Sequence, residues 1–283
     1  MELGTNFALT WLEDLSTLRE AARALDDGGI DVVGSGGHIV TARPERYTGR
    51  PLPTYSATFR DPFVLYSHLA AITERLRFRT SVLILPLLPT VLVAKQAADL
   101  SLVSGGRFEL GVGLSWQEAE FAALGVELGN RGRRLDEQID LLRRLWTEPF
   151  VTYDGRYEQV DDLGLGQRPE PPVAIWIGTR TEDERALRRV GRLADGWMPL
   201  FPPSAELIAT VRGYAIEAGR PADLPISGSV TLGDDVDAWT AEAVRQRDAG
   251  VTALDLTPPP GLSPMESVAA VVAARPILVD ALA

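Results

Sequence analysis

Residues Thr80–Phe121 read TSVLILPLLPTVLVAKQAADLSLVSGGRFELGVGLSWQEAEF, and this stretch decides the fold. Ser81–Leu85 is a short apolar run stopped by Pro86, the pattern of a strand buried on both faces. Pro86 and Pro89 bound a tight connection, and Thr90 is the expected N-cap of a helix. Val91, Ala94, Ala98 and Leu102 recur at helical spacing, and Ser104-Gly105-Gly106 supplies glycine where a left-handed residue ends a helix. Arg107–Val112 reads as a second buried strand, with Gly113 permitting close approach at its end. Strand, helix, strand is one parallel crossover unit.

The same alternation runs outward in both directions. Glu2–Leu9 and Ile30–Val33 are expected strands, separated by an amphipathic helix over Leu12–Leu25. Gly34-Ser35-Gly36-Gly37-His38 opens a long polar segment that reaches Arg60. A connection of that length in a compact domain is expected to serve function or to be mobile. Asp61 and Pro62 start a helix expected to end near Leu76, and Phe78–Leu85 is the third strand. Gln117–Leu124 and Gly132–Leu145 are expected helices. Phe150–Gln167 contains Asp154-Gly155, a hairpin signal, and is read as a small insertion over about 150–168. Strands are expected at Val173–Ile177, Gly196–Leu200, Ile226–Leu232 and Ala253–Leu256. Helices at Asp183–Ala194, Ala205–Ala218, Val236–Ala249 and Pro264–Leu282 alternate with them. Eight strands each followed by a helix, in somewhat more than the ~250 residues usual for the fold, make a single-domain TIM (β/α)8 barrel. An open doubly wound sheet would bring a GxGxxG fingerprint after the first strand, and Asn6-Phe7-Ala8-Leu9 is unlike one.

Composition narrows the chemistry. The 283 residues are 45% hydrophobic and 24% charged, ordinary for a globular protein. A net charge of −11 argues against a nucleic-acid partner. There are no cysteines, which excludes thiolate catalysis and zinc–thiolate sites. Two histidines, His38 and His68, leave little room for a multi-histidine metal site. No apolar run reaches membrane-spanning length and the N-terminus has no signal-peptide character, so no membrane partner and a cytoplasmic location are expected. In a barrel, ligands bind at the C-terminal strand ends. That rule selects Ser35–His38, Ile84–Pro86, Gly113–Trp116, Gly178–Thr181 and Trp197–Leu200.

Together these segments resemble the luciferase-like monooxygenase family, most closely its F420-dependent oxidoreductase branch. LPLLPTVLVAKQAADLSLVSGGRFELGVGLSWQEAEFAALGV carries the resemblance. RGRRLDEQIDLLRRLWTEPFVTYDGRYEQV and PPVAIWIGTRTEDERALRRVGRLADGWMPL extend it, so that it is strong over Ile30–Leu200. The resemblance implies hydride chemistry with coenzyme F420, with an FMN-dependent monooxygenase as the alternative and a non-catalytic cofactor-binding barrel as a third reading. It also implies a small-molecule substrate and a homodimer built on helices around Pro62–Leu76 and Val91–Val103. Ser81-Val82 matches the place of a non-prolyl cis peptide behind the flavin ring. His38 matches a histidine near its reactive face, and Gly178-Thr179-Arg180-Thr181 matches the cofactor-phosphate loop. The acidic residue that often precedes the histidine is here Gly37, and the second glycine of the phosphate loop is here Thr179.

Plainer roles compete for several of these residues. A histidine at a strand end suits proton transfer, but also an ordinary loop. Trp116 and Trp197 would wall a ring pocket or simply pack. Glu118 and Glu120 begin a helix, where carboxylates favour the dipole, and capping is the expectation. His68 is read as structural. Arg185, Arg188, Arg189 and Arg192 are read as a solvated helix face.

Overall fold

The computed structural model describes residues 1–6, 14–40 and 60–283. Its strands are β1 (Glu2–Thr5), β2 (Val32–Gly37), β3 (Arg77–Leu83) and β4 (Phe108–Val112), then β5 (Val151–Asp154) and β6 (Gln159–Leu163), then β7 (Ile175–Thr179), β8 (Gly196–Pro199), β9 (Ser227–Thr231) and β10 (Ala253–Thr257). Eight of them form one sheet in the order β8-β7-β4-β3-β2-β1-β10-β9, and every neighbouring pair is parallel. Among the described residues a single bridge, Trp197 to Ile226, joins the two ends, with the Trp197 N–H donating to the Pro225 carbonyl at 2.9 Å. The sheet is thereby a closed TIM barrel, as expected.

Helices follow the strands as α1 (Leu15–Asp27), α2 (Pro62–Ala70), α3 (Thr90–Val103), α4 (Glu118–Ala123), α5 (Arg131–Thr147), α6 (Glu184–Leu193), α7 (Ala205–Glu217), α8 (Val236–Ala249) and α9 (Pro264–Ala281). Their starts follow from the residues. Asp14, Asp61, Ser204 and Asp235 each accept a first-turn N–H, and Ser263 with Glu266 forms a full capping box. Gly250 ends α8 in the left-handed conformation, φ +107°. Among the described residues no helix is long and apolar enough to cross a membrane.

Several boundaries differ from expectation, among them β3, which ends at Leu83 before a 3-10 turn over Leu85–Leu87 instead of running to Leu85. The N-cap of α3 is Pro89, and Thr90 is already helical; its hydroxyl accepts from Gln138 of α5 at 3.0 Å, where tertiary bonding replaces capping. Helix α2 stops at Ala70 and not near Leu76. The Asp26 carboxylate accepts the N–H groups of Glu74, Arg75 and Leu76 at 2.7–2.9 Å, which turns the chain into β3. Strand β2 runs on to Gly37, four residues past Val33. The first strand is described only as far as Thr5, and the end expected for it at Leu9 lies outside the described residues. So does most of the long Ile39–Arg60 segment.

The apolar core lies between barrel and helices. Phe63 and Tyr66 of α2 pack on Phe78 and Phe108, with the Tyr66 and Phe78 rings 5.2 Å apart, and the Tyr66 hydroxyl donates to the Arg79 carbonyl at 2.9 Å. Burying side chains of this size stabilises the fold by ~1.5–3 kcal/mol each. Hairpin β5–β6 is antiparallel, as its Asp-Gly turn implies, and sits on α5. There Glu137 accepts from the Tyr157 N–H at 2.7 Å, and Arg134 pairs with Glu158 at 3.1 Å.

The lumen is charged along the first half of β3, upstream of the apolar run Ser81–Leu85. Arg77 and Arg79 of β3 pair with Glu2 of β1 and Glu109 of β4. Strand β2 separates β1 from β3, so these side chains can meet only across the barrel interior. The Arg79 guanidinium lies 2.8 Å from Glu2, 2.6 Å from Glu109 and 3.6 Å above the Trp176 ring of β7. Asp255 of β10 shares this space and is hydrogen-bonded by the Asn6 side chain. Burial pushes its carboxyl up to about 6, opposed by Arg79 and Asn6 and reinforced by the negative charge of Glu2. Gly34 leaves room for the Asn6 amide, whose oxygen occupies the space that a β-carbon would need.

Candidate functional site

The ends of β2, β3, β4 and β7 converge at the barrel mouth, and three of the expected site segments meet there. The Ser81–Val82 peptide is cis. The Val82 side chain lies across two glycines: a β-carbon on Gly113 would stand 2.5 Å from its Cγ2, and one on Gly178 would stand 2.7 Å from its Cγ1. No larger residue fits at either position while Val82 stays, so Val82, Gly113 and Gly178 form one close-packed ridge between β4 and β7. Beside it the Ser81 hydroxyl faces the Met198 sulfur at 3.7 Å, and the Thr80 hydroxyl donates to the Gly111 carbonyl at 2.6 Å.

His38 follows β2 with its side chain about one quarter exposed, at 23%. Its Nδ1 lies 2.9 Å from Oε2 of Glu120, whose side chain is wholly enclosed at 0% exposure. The other carboxylate oxygen of Glu120 accepts the Ile39 N–H at 2.8 Å. A buried carboxylate without partners would be costly, and here the partners are His38 and the chain just after it. The expectation that Glu120 caps a helix is therefore corrected. Gln117 is the N-cap of α4, its Oε1 accepting from the Ala119 N–H, and Glu120 points to the site. Sequence reasoning missed this residue because 82 positions separate it from His38.

The connection from β4 to α4 turns at Ser115, a non-glycine residue with φ +53°, and places Trp116 half-buried beyond Gly113. Trp197 is wholly buried, and its indole N–H donates to the Thr179 hydroxyl at 2.9 Å. Its ring is a packing element, which corrects its assignment as a pocket wall. Thr179 in turn is buried at the end of β7, its carbonyl accepting from the Leu200 N–H. Arg180 and Thr181 are exposed at the rim. Neither Thr181 nor Glu182 caps the following helix. Asp183 does, its carboxylate accepting the N–H groups of Arg185 and Ala186 at 3.0 and 3.3 Å. Those two amides are thereby committed, so an anion at this loop would have to rely on the 178–181 backbone, the hydroxyls and Arg180.

Two of the remaining expectations concern residues outside the mouth. His68 accepts from Arg19 Nε at 3.0 Å, on the outer surface. The arginines of α6 are not all a solvated face: Arg189 and Arg192 both pair with Asp136 and tie α6 to α5, while Arg188 pairs with Glu184 and Glu217.

Comparison with known proteins gives these features a setting. A profile of the family described as luciferase-like monooxygenase matches residues 3–270. An uncharacterized protein of Mycobacterium tuberculosis is 37% identical over 198 residues, 69% of this chain and 66% of its own length. The F420-dependent glucose-6-phosphate dehydrogenase of Nakamurella multipartita is 32% identical over 220 residues, 74% of this chain and 60% of its own length. The chain thus spans somewhat under two thirds of the length of these relatives. Among solved structures, an F420-dependent secondary alcohol dehydrogenase in complex with an F420-acetone adduct superposes with a TM-score of 0.80 over 98% of each chain at 15% identity, a likeness of fold.

Proposed function

Because the chain belongs to the luciferase-like monooxygenase family, we propose that it is an F420-dependent oxidoreductase that moves a hydride between the deazaflavin and a small organic substrate. The observation that carries this reading is the pairing of His38 with an enclosed carboxylate at the barrel mouth, beside the ridge of Val82, Gly113 and Gly178. The 32% identical F420-dependent dehydrogenase supports the choice of cofactor. The residues present fit a planar ring. The two glycines keep the ridge low and flat, where any β-carbon would displace Val82.

Bound F420 supplies the hydride acceptor or donor. The chain supplies the rest. Ser81 and Val82 would support the ring, and Gly113 and Gly178 would leave it room. Gly178, Thr179, Arg180 and Thr181 would hold the phosphate, with Arg180 giving the positive charge that an acidic protein must place locally. His38 holds or moves the proton that accompanies hydride transfer, and Trp116 borders the substrate. The charge of −11 fits a small ligand better than a nucleic acid.

The second reading is an FMN-dependent monooxygenase, favoured by the description of the family itself. A barrel that binds cofactor without turnover is the third. Titrating the purified protein with F420 and with FMN, followed by turnover with electron acceptors, separates them. Micromolar F420 binding with hydride transfer is expected. Tight FMN binding with oxygen consumption would overturn it in favour of the monooxygenase.

Assembly belongs to the same reading. Val64 of α2 and Leu92 and Val103 of α3 are 71%, 52% and 68% exposed. We read these two neighbouring helices as the face that pairs with a second copy of the chain.

A further inference from the structure

We propose that Glu120 is a positioning residue that fixes His38 as its Nδ1–H tautomer, so that Nε2 is the nitrogen that takes or yields a proton. The inference rests on the role given to His38 above and deepens it.

The geometry leaves Glu120 few other uses. Its side chain is fully enclosed, so it neither contributes to the surface nor repels solvent anions. One oxygen is bound to the Ile39 N–H at 2.8 Å, which can only donate. That bond orients the carboxylate plane. It leaves the second oxygen against His38 Nδ1 at 2.9 Å. A carboxylate accepts and does not donate, so the imidazole proton in this contact sits on Nδ1. A neutral imidazole carries one ring proton, and Nε2 is then the basic nitrogen. When Nε2 gains a proton, the positive ring is met by the carboxylate already in contact with it; when that proton leaves, the Nδ1 proton stays. One proton enters and one leaves at the same atom, and nothing else need change.

The same carboxylate fixes where the ring stands. The Ile39 N–H is on the residue next to His38, so Glu120 grips backbone and side chain of one short segment together. Glu120 lies on α4, next to Phe121, which packs on Ile84 and Leu87 just beyond β3. The carboxylate is thus anchored to the same strand end that carries Ser81 and Val82, and the imidazole keeps a set relation to that ridge. A helix cap would do neither.

Glu120→Gln tests this with little change in shape. Its amide oxygen can still accept from Ile39, while its NH2 donates to Nδ1 and drives the ring proton to Nε2. Because the sequence has only two histidines, long-range proton–nitrogen NMR of the imidazoles reads the tautomer directly, with H68Q assigning the signals. The unmodified chain is expected to show His38 protonated at Nδ1 and unprotonated at Nε2, and Glu120→Gln the reverse. Single-turnover hydride transfer with F420 should fall at least about tenfold in Glu120→Gln, while F420 affinity stays within about twofold, because the lost function is made in the transition state. An Nε2–H tautomer in the unmodified chain overturns the proposal, as does an unaltered tautomer in Glu120→Gln. If that variant fails to fold, the spectrum of the unmodified chain still decides. The titration of the unmodified chain is a separate outcome: an Nδ1–H tautomer without F420 binding overturns the cofactor assignment and leaves the Glu120–His38 arrangement standing.

Discussion

Replacing Asp255 by Asn should stabilise the barrel at neutral pH and leave its stability unchanged in acid. Among the described residues the lumen already balances without Asp255: Arg77 and Arg79 from β3 meet Glu2 from β1 and Glu109 from β4, two positive charges against two negative. Asp255 from β10 adds a further ionisable group, with Asn6 its neutral hydrogen-bond partner. Its charge is therefore surplus, and burial raises its carboxyl from 3.8 to about 6. Linkage sets the sign. The folded state holds the proton more tightly than the unfolded state, so the stabilisation is fully present below pH 3.8 and is lost as pH rises through about 6. A shift of roughly two units at 1.36 kcal/mol per unit makes the loss about 3 kcal/mol. Asparagine cannot ionise and keeps the shape, so it escapes that loss. Urea unfolding of both proteins from pH 4 to pH 8 measures it. The stability difference should grow from near zero to about 3 kcal/mol in favour of Asp255→Asn, with its midpoint near pH 5. A difference that is flat with pH, or a variant less stable at pH 8, would show that Asp255 is compensated in the lumen and refute the charge count.

Other substitutions test other parts of the structure. Arg79→Met leaves Glu2 and Glu109 facing each other with half their compensation gone, and should cost about 3–5 kcal/mol in chemical unfolding; a loss under about 1 kcal/mol would contradict the lumen network. His38→Ala should lower kcat with F420 far more than it weakens cofactor binding, read by comparing turnover with fluorescence titration. The double change Arg180→Ala with Thr181→Ala should weaken F420 by more than about 1 kcal/mol at low salt and by less at high salt, and an unchanged affinity would place the phosphate elsewhere on the rim. Light scattering should give twice the single-chain mass of 30.7 kDa, and Leu92→Arg should return the protein to that mass.

Much of the architecture was legible because the outer faces of the strands obey simple rules. Phe78, Phe108 and their neighbours make apolar runs, Asp61-Pro62 announces α2, and Asp154-Gly155 announces the hairpin. The cis peptide at Ser81–Val82 and the position of His38 came through resemblance, since no local pattern marks either. What could not be read is what converges from distant strands. Alternation along β3 says that Arg77 and Arg79 share a face, but the carboxylates that neutralise them come from the first strand and the fourth. Glu120 carries the local signature of a helix start, and only the folded chain brings it to His38. Asp183 shows the reverse case: its capping is local and ordinary, yet it removes two amides on which an anion site at α6 would have drawn. Trp197 was ambiguous by composition alone, because a buried tryptophan and a pocket wall have the same sequence context.

The wall of the barrel is a hoop with a clasp. Between most adjacent strands runs a ladder of several residue pairs, but among the described residues β8 and β9 are joined by the one bridge from Trp197 to Ile226. Arg77, Arg79, Glu2, Glu109 and Asp255 all come from the arc β4-β3-β2-β1-β10, which lies across the hoop from that clasp. Any parting of the wall is therefore cheapest at β8–β9, where it breaks the fewest backbone pairs and none of those ion pairs. The braced arc also carries His38 and Val82, so the strand ends of the candidate site lie away from the thinnest seam.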